Sequence, residues 1–311
     1  MSLLPAEILL SPWTLALLGL CIGSFLNVVI YRLPVMMERE WWADMARLLV
    51  DTPAQQRTLG TQVVRPEVLA KAGQALDTAL AALPALSLSR PRSRCPSCGH
   101  QLAWHENMPV LGWLRLKGRC STCKTPISAR YPIIELLTGA LFAACAIKFG
   151  PMPGTLIWCI AVALLVAMAF IDLDTQLLPD ALTFPLVGLG VLGAGMGWTG
   201  VTIEASAWGV VGGYLSLWSV STLYKLVRGI QGMGEGDFKL LAGLGALMGW
   251  QVLPSIILLS SLVGAVVGIG MIVLRGHGRD VPIPFGPYLA GGGVAAMFFG
   301  HTLTRALWPA F

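Results

Sequence analysis

Pro153-Gly-Thr-Leu-Ile-Trp-Cys-Ile-Ala-Val-Ala-Leu-Leu-Val-Ala-Met-Ala-Phe-Ile171 runs for 19 residues without a charge and then breaks into Asp172-Leu173-Asp174. A helix needs roughly 20 mostly apolar residues to cross the hydrocarbon core of a bilayer. The stretch therefore reads as a membrane helix that ends on ionisable side chains. Such residues at a membrane helix end are either interfacial anchors or parts of a site. Three aspartates, Asp172, Asp174 and Asp180, around a Leu177-Leu178-Pro179 turn exceed what anchoring needs.

The same apolar pattern recurs along the chain. Of its 311 residues, 55% are hydrophobic and 12% charged, and the mean hydropathy is +0.72. A soluble domain is about 25% charged, so a bilayer is the expected solvent. Segments near 13–31, 133–149, 153–171, 181–198, 207–225, 253–274 and 285–308 pass as spans, and a shorter one covers 238–250. The expected fold is an all-α polytopic membrane protein with about eight transmembrane helices. The first apolar run lacks a basic segment before it and a small-residue cleavage site after it, so it reads as a membrane helix rather than a cleavable signal.

Basic residues favour cytoplasmic loops. Fourteen of the 21 Lys and Arg lie between Tyr31 and Tyr131; Lys225, Arg228 and Lys239 flank a second loop, and Arg275 and Arg279 a third. Lys148 and Arg305 fall on the opposite side. An outside N-terminus with eight alternating helices accommodates all of these. Without the short sixth helix, Arg275 and Arg279 change sides. This topology puts the loops 172–180 and 226–239 in the cytoplasm.

Three regions follow: a first membrane helix over 1–31, a cytoplasmic module over 32–131 and a membrane-embedded domain over 132–311. Within the module, 36–90 reads as an insertion and 91–131 as a zinc-binding segment. Cys95-Pro-Ser-Cys98 and Cys120-Ser-Thr-Cys123 are separated by 21 residues. Two C-x-x-C knuckles at this distance suit one tetrahedral zinc, and a cytoplasmic location argues against disulfides. Four thiolates leave no open position, so the ion is structural. Redox dithiols are the bland alternative, and His100 or His105 could replace a cysteine. Cys21, Cys145 and Cys159 lie in apolar helices and are assigned no role. In the insertion, Met36, Met37, Trp41, Trp42, Met45, Leu48 and Leu49 alternate with charges. That suits either an amphipathic helix on the membrane surface or packing against the zinc segment; a second helix is expected over 67–82. The module's net positive charge is assigned to topology and anionic lipid, not to nucleic acid.

The second loop reads Gly232-Met-Gly234-Glu235-Gly236-Asp237. Its glycines permit unusual backbone angles and close approach of another chain. They do not form a phosphate loop, because no strand precedes them and no Gly-Lys-Ser/Thr ends them. Two facing carboxylates share a proton, so one can activate water while the other donates to a substrate carbonyl. Asp172 and Asp237 are the candidate pair, but spacing alone does not choose Asp172 over Asp174. For Asp174, Asp180 and Glu235, solvated loop charge is the plain alternative. No H-E-x-x-H and no Ser–His–Asp set competes.

Taken together, Gly23-Ser-Phe-Leu-Asn27…Arg32-Leu-Pro34, Cys95-Pro-Ser-Cys98-Gly-His100, Asn107-Met-Pro109, Arg119-Cys120-Ser-Thr-Cys123, Ile127-Ser-Ala-Arg130-Tyr-Pro132, Ile171-Asp172-Leu-Asp174…Pro179-Asp180 and Gly234-Glu-Gly236-Asp237 resemble the bacterial prepilin (type IV leader) peptidases. The resemblance covers nearly the whole chain. It implies that Asp172, seven positions before Pro179, and Asp237 are catalytic. It also implies removal of a basic leader from prepilins or pseudopilins at the cytoplasmic face of the inner membrane. N-methylation of the new terminus with S-adenosylmethionine would follow, with the four-cysteine segment linked to that activity. Asn107, Arg115, Lys117 and Gly118 are candidate linings for the methyl donor. Asp174, Asp180 and Glu235 are candidate receivers of the leader's basic residues. Rival readings are a presenilin-like intramembrane protease, which shares G-x-G-D, a proton-coupled transporter and a zinc-bearing scaffold.

Overall fold

The computed structural model describes residues 6–60, 65–230, 232–275 and 283–307. Arg279 and part of the insertion, residues 61–64, lie outside these. Every regular element among the described residues is helical: α1 (Ala6–Leu9), α2 (Pro12–Val50), α3 (Thr52–Leu59), α4 (Pro66–Ala81), α5 (Leu111–Arg115), α6 (Arg130–Phe149), α7 (Gly154–Thr175), α8 (Asp180–Gly195), α9 (Ile203–Arg228), α10 (Glu235–Met248), a 3-10 turn (Trp250–Val252), α11 (Leu253–Arg275) and α12 (Gly286–Leu307). Each of the eight apolar segments read from the sequence falls on a helix. Among the described residues, four stretches are long and apolar enough to cross a bilayer: Pro12–Val50, Arg130–Phe149, Gly154–Thr175 and Trp250–Val273. The chain is a membrane protein by these helices.

The chain divides into two compact units, one of residues 28–103 and the other of the remainder. In the smaller unit, α2 runs on where the sequence suggested a break at Tyr31-Arg32-Leu33-Pro34. Pro34 removes one backbone donor, yet the helix continues because the Met, Glu, Arg, Trp, Ala and Leu residues after it are mostly good helix formers. Buried Arg32 donates to Ser87 O at 2.9 Å and Arg39 to Pro84 O at 2.9 Å, tying α2 to the segment after α4. Gly73 of α4 lies against the Ala46 carbonyl, where a Cβ would sit 2.7 Å from the oxygen. The expected amphipathic segment is thus the second half of α2. It packs on α4 through Ala46 while Trp41, Trp42, Met45 and Leu48 stay exposed.

In the larger unit, Gly23 of α2 lies on the α6 backbone, where a Cβ would be 2.7 Å from Glu135 Cα. Asn27 Nδ2 donates to Tyr131 O at 3.2 Å. Glu135 is buried and accepts the Val110 N–H at 2.7 Å, which fixes the chain just before α5. Cys145 on α6 and Cys159 on α7 are both buried and free of disulfides.

The hub is α10. Its 14 residues extend only about 21 Å, short of the roughly 30 Å hydrocarbon core. A helix of that length is more often enclosed by protein than by lipid, and Leu240, Leu241, Leu244 and Leu247 are all buried. Small residues let the neighbours come close, the usual device where lipid offers no hydrophobic drive between helices. Gly209 of α9 meets Gly245 of α10, and a Cβ on Gly213 would lie 2.6 Å from Leu241 O. Ser206 Oγ donates to Ala246 O at 2.8 Å, and the Tyr214 and Phe238 rings meet edge to face at 5.8 Å. On the other side Gly190 of α8 backs onto Ala246 and Leu247, and Gly243 faces Leu186.

Candidate active site

Asp172 sits in the last turn of α7 and Asp237 in the first turn of α10. Their residues are only 5% and 8% exposed, a burial that carboxylates rarely reach without partners. The α10 N-terminus favours a negative charge at Asp237, whereas the α7 C-terminus disfavours one at Asp172. The compensation for Asp172 comes from elsewhere: its Oδ2 accepts the Gly286 N–H at 2.9 Å, at the start of α12. Asp237 Oδ1 is buried with no hydrogen-bond partner. The two carboxylates are close enough to act on each other electrostatically.

Leu178 is wedged between the glycines that flank the pair. A Cβ on Gly236 would lie 2.5 Å from Leu178 Cβ, and one on Gly286 would lie 3.2 Å from Leu178 Cδ1. Neither glycine has a positive φ, so space rather than backbone angle calls for glycine there. Gly234 differs: nothing lies within 4 Å of where its Cβ would stand. Pro179, buried and extended, turns the chain from Leu178 into α8.

The other acidic candidates are placed differently. Arg130, at the start of α6, grips Asp174 with two bonds of 2.7 Å, donates to Phe170 O at 3.2 Å and lies 5.0 Å over the Phe170 ring. Asp180 pairs with Lys239 at 2.6 Å, joining α8 to α10. These two aspartates therefore hold helix ends together. Glu235 is exposed in the first turn of α10.

Each C-x-x-C pair forms a tight turn of the same design. Gly99 N–H donates to Cys95 O at 3.0 Å and Lys124 N–H to Cys120 O at 3.1 Å, with Gly99 and Lys124 both left-handed. Cys95 N–H returns to His100 O at 2.8 Å and Cys120 N–H to Thr125 O at 2.9 Å. In each knuckle the first cysteine is buried and the second exposed. The four cysteines offer an all-sulfur donor set, which suits a soft or borderline ion such as zinc. The methyl-donor candidates precede the second knuckle in the chain. Asn107, Arg115 and Lys117 are exposed. Gly118 is covered by Trp113, whose ring a Cβ would meet at 2.8 Å and whose Nε1 donates to Ile127 O at 3.1 Å.

Sequence reasoning missed Gly286, Leu178, Arg130 and Lys239. The only local signal for Gly286 was its place between Pro284-Phe285 and Pro287, at the start of an apolar run.

Two families match the chain. The Bacterial Peptidase A24 N-terminal domain covers residues 17–149, with all four knuckle cysteines, and the Type IV leader peptidase family covers 159–269, with both aspartates. Among curated relatives, the Prepilin leader peptidase/N-methyltransferase of Aeromonas hydrophila is 47% identical over 93% of this chain and 91% of its own. Proteins of the same name from Stutzerimonas stutzeri and Pseudomonas aeruginosa are 46% and 44% identical, each over 93% of this chain and 91% and 90% of their own. No solved structure matches. With relatives at that identity over more than nine-tenths of its length, the chain belongs to the type IV leader peptidase family.

Proposed function

We propose that the chain removes the leader from type IV prepilins or type II secretion pseudopilins and N-methylates the new terminus. The observation that carries the peptidase half is a buried carboxylate pair with one oxygen, Asp237 Oδ1, left without a hydrogen-bond partner. Asp172, anchored by the Gly286 N–H, takes a proton from the attacking water. Asp237 holds the proton the pair shares and donates it to the scissile carbonyl oxygen. As the tetrahedral species collapses, the proton taken from water passes from Asp172 to the leaving amine, the C–N bond breaks, and the new carboxyl group returns a proton to Asp237, which restores the pair. Neither metal nor covalent nucleophile is required for this sequence of steps.

The site is assigned to the cytoplasmic face of the inner membrane, on the basic-residue bias and on helix order. Asp172 ends α7, Asp237 begins α10 and Gly286 begins α12. The Asp172–Gly286 bond requires α12 to start on the side where α7 stops. That parity supports eight crossings with α10 counted as one of them, although α10 is short and enclosed. The substrate then presents its leader on the cytoplasmic side and its apolar helix within the bilayer. Of the three acidic candidates for the leader's basic residues, Glu235 is favoured, because Asp174 and Asp180 are engaged with Arg130 and Lys239.

Zinc on Cys95, Cys98, Cys120 and Cys123 would fix the fold of the two knuckles, with no ligand position left for chemistry. S-adenosylmethionine, when bound, supplies an electrophilic methyl group for the free amine. Asn107, Arg115 and Lys117 remain candidates to contact it; Gly118 acts instead by seating Trp113. Mass spectrometry of a purified prepilin after incubation with the enzyme and methyl donor tests the reading. Loss of the leader mass and gain of one methylene are expected; an unchanged prepilin would overturn it.

A further inference from the structure

We infer that Gly286 is a positioning residue for Asp172, so the N-terminus of the last helix completes the active site. The inference rests on the reading of Asp172 as catalytic. Phe285 O accepts from both Tyr288 N–H and Leu289 N–H at 3.1 Å, and Pro287 has no N–H. Of the N–H groups in the first turn of α12, that of Gly286 is directed at the Asp172 carboxylate at 2.9 Å. An amide donor aimed at a buried carboxylate, reinforced by the helix dipole, is among the stronger protein hydrogen bonds. It also fixes which oxygen of Asp172 faces the substrate, since Oδ2 is occupied.

Two constraints act at this position. The N–H must be present, and nothing larger than hydrogen fits on the Cα. A Cβ would lie 2.7 Å from Asp172 Oδ2 and 3.1 Å from its Cγ. The same Cβ would crowd Leu178 Cδ1 at 3.2 Å, and Leu178 is itself held against Gly236. Gly286 lies 17 residues beyond the last position matched by the leader peptidase family, residue 269. The peptidase segment so matched therefore lacks the group that orients its first aspartate.

Two variants probe the constraints together, and an ester separates them. Gly286→Ala keeps the N–H and adds the clash. Gly286→Pro adds the same clash and also removes the N–H, at the first helical position, where proline is tolerated. Each should lower kcat for leader removal by about tenfold to a hundredfold, the range for losing a charge-assisted hydrogen bond. KM should stay unchanged, and so should methyl transfer to a prepilin already cleaved. If either variant transfers methyl groups normally and cleaves with the parent kcat, the inference is wrong. If both lose methyl transfer, and so are misfolded, an ester in place of the peptide bond at residue 286 decides. It removes only the N–H, and a normal kcat there overturns the inference while a lowered one upholds it. Asp172→Asn, assayed alongside, separates the two levels. Cleavage by that variant defeats the catalytic reading itself, whereas an inactive Asp172→Asn beside a fully active Gly286→Pro defeats only the role of Gly286.

Discussion

Gly213→Ala should slow leader cleavage while leaving the protein folded. Gly213 of α9 faces the first turns of α10: a Cβ there would lie 2.6 Å from Leu241 O, 2.8 Å from Leu241 C and 2.9 Å from Ala242 Cα. These are backbone atoms and cannot rotate away. Ordinary contact begins near 3.4 Å, so α9 and α10 must part by roughly 0.8 Å, close to the 1 Å misplacement that can cost a hundredfold in rate. Leu241 is one helical turn from Asp237, so the shift reaches Asp237 at the start of α10 nearly undiminished. Overpacking of this kind costs about 1–3 kcal/mol, but replacing a helical glycine by alanine returns up to about 1 kcal/mol. The net loss of stability is then roughly 0–2 kcal/mol, and the protein should still fold. Leader removal measured with purified enzyme should show kcat reduced about tenfold to a hundredfold, with a melting temperature only a few degrees lower and methyl transfer to cleaved substrate intact. Parent kcat in Gly213→Ala would refute the claim that the α9–α10 contact sets the position of Asp237.

Other outcomes follow from the same geometry. Glu235→Gln should raise KM for a strongly basic leader about twofold to fivefold at low salt, the scale of an exposed ion pair, and the difference should shrink as salt screens it. Asp174→Asn should leave that KM alone, because Arg130 already holds Asp174; equal KM values for Glu235→Gln and the parent would remove Glu235 from leader recognition. Cys98→Ser should release the metal and reduce methyl transfer, and elemental analysis of the parent should find one zinc per chain. A metal-free parent protein with full methyl transfer would contradict the zinc assignment.

The helices were legible because the bilayer enforces a simple rule: apolar runs of the right length must be helical. All eight segments fell on helices, including 238–250, where length argued against a span and the charge pattern argued for one. The burial of α10 explains its shortness. What the rule could not deliver was continuity through Pro34, because one lost hydrogen bond does not outweigh the helix-forming run after it and the Arg32 and Arg39 anchors. The knuckles were legible from cysteine spacing alone, since each turn needs only a left-handed residue after the second cysteine, filled by Gly99 and by Lys124. Asp172 and Asp237 were singled out as ionisable residues at helix ends, but their third partner was not. Gly286 contributes a backbone N–H, which carries no side-chain signal, and it lies 114 residues from Asp172. Asp174 and Asp180 looked like site residues for the same reason as Asp172. Only three-dimensional pairing with Arg130 and Lys239 distinguishes them as braces between helix ends.

The central claim is that Asp172 and Asp237 together hydrolyse the leader peptide bond. Purified Asp172→Asn and Asp237→Asn enzymes, each incubated with prepilin and followed by mass spectrometry, test it most directly. No leader loss is expected with either variant, while both should still methylate a prepilin supplied already cleaved. Leader removal at the parent rate by either variant would contradict it.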